Sequence, residues 1–441
     1  MPEHASPTHA IRGPALTFSG DAFIEGIEAT LRHESDAIVG MAGGKITHFG
    51  PAAAVAPTLP PGTHIRECGR DSLILPGFID CHVHYPQTQI IGAYGEQLLD
   101  WLEKYTFVAE QRFADVAHAR AVAEVFLDEC LRNGTTTVAS FATVHAHSVD
   151  AFFEAAGKRG MRTIAGKCLM DRNAPEALRD TAQRGHDESK ALIQRWHGKG
   201  RASYAITPRF APTSTPAQME LAGALWKEHP GTYLQSHVSE NRAEIEWAKK
   251  LFPERDGYLD IYDHYGQLGP RAIYGHGVWL TEAEIARIHE TGTAIAHCPT
   301  SNQFLGSGLF GLRRAKQLAR PVRVGLATDV GAGTTLSMLR TMGAAYQVAQ
   351  LGGASLSAPL AFYLATRGGA QALYLEDRIG SLAVGMEADL VVLDMKSTPL
   401  IEFRMRHCES LEEALFVQMT MADERAVRAT IVGGVPVPRA D

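Results

Sequence analysis

Residues Leu75 to His84 read LPGFIDCHVH, an apolar run that ends in a His-x-His pair. Successive side chains of a β-strand point to opposite faces, so His82 and His84 project the same way and can grip one metal from two directions. The pair alone is a weak signal. With 19 histidines in 441 residues, chance gives roughly one such pair, and a second stands at His145 and His147. Three later apolar segments add weight: TYLQSH ends at His237, RAIYGH at His276 and VRVGLATD at Asp329. One such residue is most simply a satisfied polar group at a strand end, whereas four in the same strand position read as a site.

Two histidines from the first strand, with His237 and Asp329, make a set of three nitrogens and one oxygen suited to zinc or ferrous iron, with a position open for water. Such a metal makes hydroxide available near neutral pH. Glu240 follows His237 by three residues in HVSE. At a strand mouth it faces the open position without ligating, as a proton shuttle must; the plainer alternative is a carboxylate opening the surface helix NRAEIEWAKK. The strand ending ITPRF carries no lysine that could bridge two metals, which predicts a single one, and Lys167 is expected to be structural or solvent-facing. Cys81, between the two histidines on the other strand face, is expected to pack in the core. The six cysteines include no Cys-x-x-Cys pair, which disfavours structural zinc and a disulfide framework.

Eight apolar segments are strand candidates: SLILPGFID with its two histidines, then Gly134 to His145, Met161 to Asp171, Ala202 to Phe210, Thr232 to Glu240, Arg271 to Leu280, Thr291 to Asn302 and Val322 to Asp329. Helical patterns separate them. One has Asp115 as N-cap and Gly134 just past its end; another opens with a capping box of Thr281 and Glu284 and stops at Gly292. Eight strand-helix units predict an α/β fold, a parallel (β/α)8 TIM-like barrel with its site at the carboxyl ends of the strands, where every candidate ligand falls. The flanks differ. DAIVGMAGGKITHFG reads as a hairpin around Gly43-Gly44, and DLVVLDM and RATIVGGVPV are also strand-like. Residues 1–72 and 379–441 are therefore expected to form one small discontinuous β-sandwich domain around a barrel of residues 73–378. Gly306, Gly308 and Gly311 match a dinucleotide-binding spacing, but they open no clear helix and read as a loop.

A chain with 45% hydrophobic and 21% charged residues has room for one large core and a smaller companion. A formal charge of -7 and no basic run with interleaved aromatics argue against nucleic acid. MPEHASPTHAIRG lacks the pattern of a leader, and no apolar run reaches the length of a membrane span, so the expectation is a cytoplasmic protein.

Several segments together, LPGFIDCHVHYPQ, LLDWLEKYTFVAE, ITPRFAPT, LQSHVSEN, AHCPTSNQFLGSG and GLATDVGAGT, resemble those of the guanine deaminases of the amidohydrolase superfamily. The likeness runs from about Asp71 to Leu339; HYPQ, WLEKYTFxAE and TPRF are its narrower elements. It implies that His82, His84, His237 and Asp329 bind one zinc ion (Zn2+) per chain, that His276 lies beside the activated water, and that Glu240 and Asp329 move protons. It also implies that Gln87, Arg209 and Phe210 hold guanine beside His237 and Glu240, that water converts it to xanthine and ammonia in purine catabolism, and that the chain forms a homodimer. The chemistry agrees: a flat base wants an aromatic neighbour, and Arg209 offers a planar set of donors to an oxygen at carbon 6. Two readings stay open. A related amidohydrolase acting on a pterin, a triazine or an adenosine-type ring, by deamination or dechlorination, needs the same barrel and metal. A scaffold that has lost catalysis ought to lack a ligand, and none is missing.

Overall fold

The structure is a computed structural model and describes residues 9–438, so part of the amino-terminal stretch read for a leader, residues 1–8, lies outside the described residues. Eight parallel strands, Phe78–His84, Thr135–Phe141, Arg162–Gly166, Ala202–Pro208, Tyr233–Val238, Ala272–His276, Ala294–His297 and Arg323–Leu326, pair in chain order. Just past the eighth strand the backbone turns back to the first: Asp329 N donates to His82 O at 2.9 Å and His84 N donates to Val330 O at 2.8 Å. These two bonds nearly close the barrel at its carboxyl end, and they place one candidate ligand in register with two others. All eight expected strands are present. Their apolar runs follow from burial on both faces, by barrel interior and by outer helices.

The expected strand SLILPGFID is two strands. Ser72–Pro76 pairs antiparallel with Leu390–Asp394 in the terminal sheet, and Phe78–His84 begins the barrel. Gly77 is the pivot: its N–H donates to Asp389 O at 2.9 Å, and a side chain there would run into Thr136. Pro76 supplies no donor to continue the ladder. The chain passes from one sheet to the other at a point where the sequence shows only continuous hydrophobicity.

The helices sit as their caps dictate. Val116–Arg132 starts at Asp115, whose Oδ1 accepts from Ala117 N at 2.9 Å, and ends before Gly134 at φ 78°. It buries Ala119, Ala123, Phe126, Leu127 and Cys130, one face of a 3.6-residue period. Glu282–Thr291 has the reciprocal capping box of Thr281 and Glu284 and stops at left-handed Gly292. Among the described residues no helix is long and apolar enough to cross a membrane.

The flanks meet in one mixed sheet of eight strands. Leu31–Ala42 and Lys45–Pro51 form the expected hairpin, its turn glycines Gly43 and Gly44 at φ 56° and 77°, the geometry that a two-residue turn of matching twist requires. Where a sandwich was expected, the hydrogen bonding runs through all the terminal strands as a single sheet. Arg162 and Arg201, at the amino ends of the third and fourth barrel strands, pair with Glu387 and Asp389 beneath it. That buried network fixes the terminal sheet to the amino end of the barrel, opposite the candidate ligands.

Candidate active site

His82 and His84 alternate on the first strand and face inward, while Cys81 faces the other way into the core, near Gly369 O. His237 lies near the end of the fifth strand, His276 ends the sixth, and Asp329 stands three residues beyond the eighth. His276 and Asp329 have φ 74° and 50°. Left-handed backbone at non-glycine residues costs about 1–3 kcal/mol, and it re-aims both side chains from strand to barrel mouth. Gly275 makes room beside them: a Cβ at this position would lie 2.6 Å from His82 Cε1. Gly275→Ala is expected to turn the His82 ring and weaken metal retention about tenfold or more, measured as metal content after dialysis against a chelator, with an unchanged circular-dichroism spectrum.

One nitrogen of each of His82, His84 and His237 and one Asp329 oxygen lie within 4.8 Å of one another. His82 and His84 Nε2 are 3.4 and 3.3 Å from Asp329 Oδ1, and His84 Nε2 is 3.1 Å from His237 Nε2. His237 Nδ1 donates to Arg209 O at 2.6 Å, which leaves the Nε2 lone pair pointing inward. Burial pushes His84 down to about 3 and His237 well below the usual imidazole range, so both are neutral ligands at pH 7. Burial opposes ionisation of Asp329, but His276, His82 and His84 around it hold it well below the usual carboxylate range. His82 Nε2 is buried without a hydrogen-bond partner. Three inward nitrogens, one of them orphaned, and an ionised carboxylate fit a divalent cation. A second group, His276, Cys298 and Asp329, shares the aspartate, but burial lifts the Cys298 thiol well above its ordinary range and leaves it a poor ligand.

Glu240 flanks this cluster without belonging to it. Its Oε1 accepts from Ser307 Oγ at 2.9 Å, and its Oε2 is 3.4 Å from His276 Nε2. Burial and the neighbouring charge of Asp329, offset in part by Ser307, push it up to about 8, so it can hold a proton at neutral pH. Glu240 is not the carboxylate that opens the following helix. Asn241 and Glu244 form that capping box, and Glu244 Oε2 also accepts from Glu240 N at 2.9 Å, which leaves the Glu240 side chain free for the cavity. His276 is held from behind by Asn302 Oδ1, 2.8 Å from its Nδ1.

Gln87, Arg209 and Phe210 line the same small cavity of about 30 Å³, with His84, His237, Glu240, His276 and Asp329. Its roof is Leu98–Gln111, a helix whose middle turn, Leu102–Thr106, is a π-turn. Trp101 and Leu102 descend from it onto the cavity. A wider groove of about 640 Å³ between Arg242 and Arg287 lies outside and holds none of the ligands.

A sequence profile of the Amidohydrolase family matches residues 73–437. Guanine deaminase of Escherichia coli (strain K12) is 50% identical over 410 residues, 93% of this chain and 93% of that protein. The solved E. coli guanine deaminase superposes with a TM-score of 0.95 at 48% identity, covering 98% of this chain and 100% of that one. The C. acetobutylicum guanine deaminase with bound guanine in its active site superposes with a TM-score of 0.87 at 28% identity, covering 98% of this chain and 100% of that one. The chain belongs to the guanine deaminase family of amidohydrolases.

In this amidohydrolase every residue singled out from the sequence for metal, proton transfer or base falls at one barrel mouth. The other motifs fall elsewhere. His145 precedes the helix Ala146–Lys158 and His147 lies in its first turn, bonded to Phe113 O at 2.6 Å, so the second His-x-His is on a helix start and not at a strand end. Lys167 is buried and paired with Asp180 and Glu188, structural and not solvent-facing. Gly306 and Gly308 follow the short helix Pro299–Phe304 in a loop, whereas Gly311, expected in the same loop, is the N-cap of the four-residue helix Leu312–Ala315. Sequence reasoning missed three supports of the amidohydrolase site: Asn302, Ser307 and, above all, Glu110, which binds both Gln87 and Arg209. Asn302 and Ser307 stand in AHCPTSNQFLGSG and Glu110 in WLEKYTFVAE, so the segments were noticed but not the residues.

Proposed function

We propose that the chain converts guanine to xanthine and ammonia with one zinc ion held by His82, His84, His237 and Asp329. The observation that carries this reading is the convergence on one buried cavity of the ligand cluster, a protonatable carboxyl at Glu240 and a base-sized set of polar and aromatic groups, Gln87, Arg209 and Phe210. Zinc bound there supplies an activated water near neutral pH. Asp329 accepts a proton from the attacking water through Oδ2, which faces His276 at 3.6 Å. Glu240 delivers its proton to ring nitrogen 3, which makes carbon 2 electrophilic, then takes the proton of the adduct's new hydroxyl and carries it to the amino group, so that carbon 2 becomes a carbonyl as ammonia leaves; the proton held by Asp329 returns to Glu240. His276 stabilises the developing oxyanion from a position fixed by Asn302. Arg209 and Gln87 read the oxygen at carbon 6, and Phe210 lies against the ring.

Glu240→Gln tests the proton transfer. The amide keeps the shape of the side chain and the bond to Ser307 but cannot cycle a proton, so zinc content is expected to stay at about one per chain while turnover falls about a hundredfold or more. Guanine consumption followed by ultraviolet absorbance, with metal analysis of the same sample, reads both. Near-normal turnover would remove Glu240 from the mechanism, and loss of zinc would recast it as a ligand. Pterin, triazine and adenosine-type rings in the same assay test the related reading, which requires one of them to outpace guanine.

A further inference from the structure

Glu110 lies on Phe107–Gln111, the last segment of the roof helix, and is wholly buried, 0% exposed. Its two carboxylate oxygens accept from Arg209 Nη1 at 3.0 and 2.8 Å, and Oε1 also accepts from Gln87 Nε2 at 3.3 Å. The Gln87 amide is pinned from its other side by Gly331 N, which donates to Oε1 at 3.3 Å. Arg209 is nearly as buried, with the ring centroid of Phe107, on the helix of Glu110, 5.7 Å from its guanidinium carbon. Burial works against the guanidinium charge, and Glu110 together with Cys168 more than offsets it. A guanidinium carries five N–H donors, and Glu110 engages those of Nη1. The ion pair is thus nearly neutral as a whole and still has donors to present to the cavity.

We propose that Glu110 is a specificity-determining positioning residue: it fixes the plane of Arg209 and cancels its charge, so that the pocket reads a neutral purine and gives no advantage to an anionic one. This rests on the guanine reading above and deepens it. A buried guanidinium without its carboxylate is a strong anion attractor, because charge interactions in a low-dielectric interior are barely screened. The reaction converts a weakly acidic base into xanthine, which has carbonyl groups at both carbon 2 and carbon 6 and loses a proton more readily. With Arg209 uncompensated, the site holds its ionised product; with Glu110 in place, the product has no charge to hold it.

The test compares competitive inhibition by xanthine and by hypoxanthine, which keeps the oxygen at carbon 6 but stays neutral, on zinc-loaded protein at one mildly alkaline pH. Glu110→Gln is expected to raise KM for guanine and to shift the inhibitor preference toward xanthine by about tenfold or more. Arg209→Gln is expected to shift it the opposite way, because the Glu110 carboxylate then faces the anion alone, and Glu110→Asp, which restores the charge, to keep the wild-type preference. A support for packing alone predicts no change in this ratio. Folded, zinc-loaded Glu110→Gln with the wild-type ratio overturns the proposal. If that variant does not accumulate as folded protein, Arg209→Gln decides, and an unchanged ratio there overturns it equally. A wild type that binds both purines yet deaminates no guanine overturns the proposed reaction instead, while the binding ratio still decides the role of Glu110.

Discussion

Asp329→Asn is expected to reduce guanine turnover by about four orders of magnitude or more, the largest single loss in the site, because two functions vanish together. Oδ1 lies within 3.4 Å of His82 Nε2 and 3.3 Å of His84 Nε2, in the candidate ligand cluster, and Oδ2, the proposed acceptor of the water proton, faces His276 at 3.6 Å. An amide is a poor zinc ligand and a poor base. Asparagine is the informative replacement: residue 329 has φ 50°, a conformation that asparagine tolerates and alanine does not, so the loss reads chemistry and not backbone strain. His82→Ala, His84→Ala and His237→Ala are expected to lose metal as well. In wild-type protein a strong chelator is expected to remove activity and added zinc to restore it, whereas in Asp329→Asn the same zinc is expected to restore little. Full zinc occupancy with normal turnover in Asp329→Asn would sink the ligand assignment, and two tightly held metals per chain would sink the single-metal one.

Guanine is expected to exceed 2-aminopurine by about a thousandfold in kcat/KM. The analogue keeps the amino group at carbon 2, where water attacks, but has no oxygen at carbon 6. Bound in the same pose, it leaves the buried donors of Arg209 and Gln87 without an acceptor, and unpaired buried donors cost about 1–3 kcal/mol each. Two such groups, one of them charged, account for the expected factor. Arg209→Ala lowers activity on guanine and narrows the gap between the two bases. Equal processing of both by the wild-type enzyme would show that the oxygen at carbon 6 is not read, and the orientation proposed for the base would fall with it.

The ligands were legible because strand periodicity and position carry them. An alternating His-x-His fixes two side chains on one face, and polar residues closing apolar runs recur at His237, His276 and Asp329; a parallel barrel brings all strand ends to one mouth. Helix limits were equally local. Asp115, Thr281 with Glu284, and Gly292 act within one turn of themselves, so neighbouring residues suffice to read them. The narrower segments carried the family and, through it, guanine.

What the sequence by itself determined, then, is whatever local periodicity and the few-residue range of caps and turns encode: the eight strands, the hairpin glycines, the four clustered candidate ligands and the carboxyl beside them. The tertiary structure alone decided the break at Gly77, where an unbroken apolar run changes sheets because Thr136 and Asp389, far along the chain, leave room for no side chain and supply the hydrogen bond. It decided that Glu244 and not Glu240 caps the next helix, which frees Glu240 for the cavity. It also decided the role of Glu110. In WLEKYTFVAE a glutamate on an amphipathic helix reads as solvated, and only the fold buries it against Arg209, 99 residues later. A charge is stable inside a protein only beside its opposite, and the residue that supplies the opposite charge is chosen by distance in space, which no local pattern records.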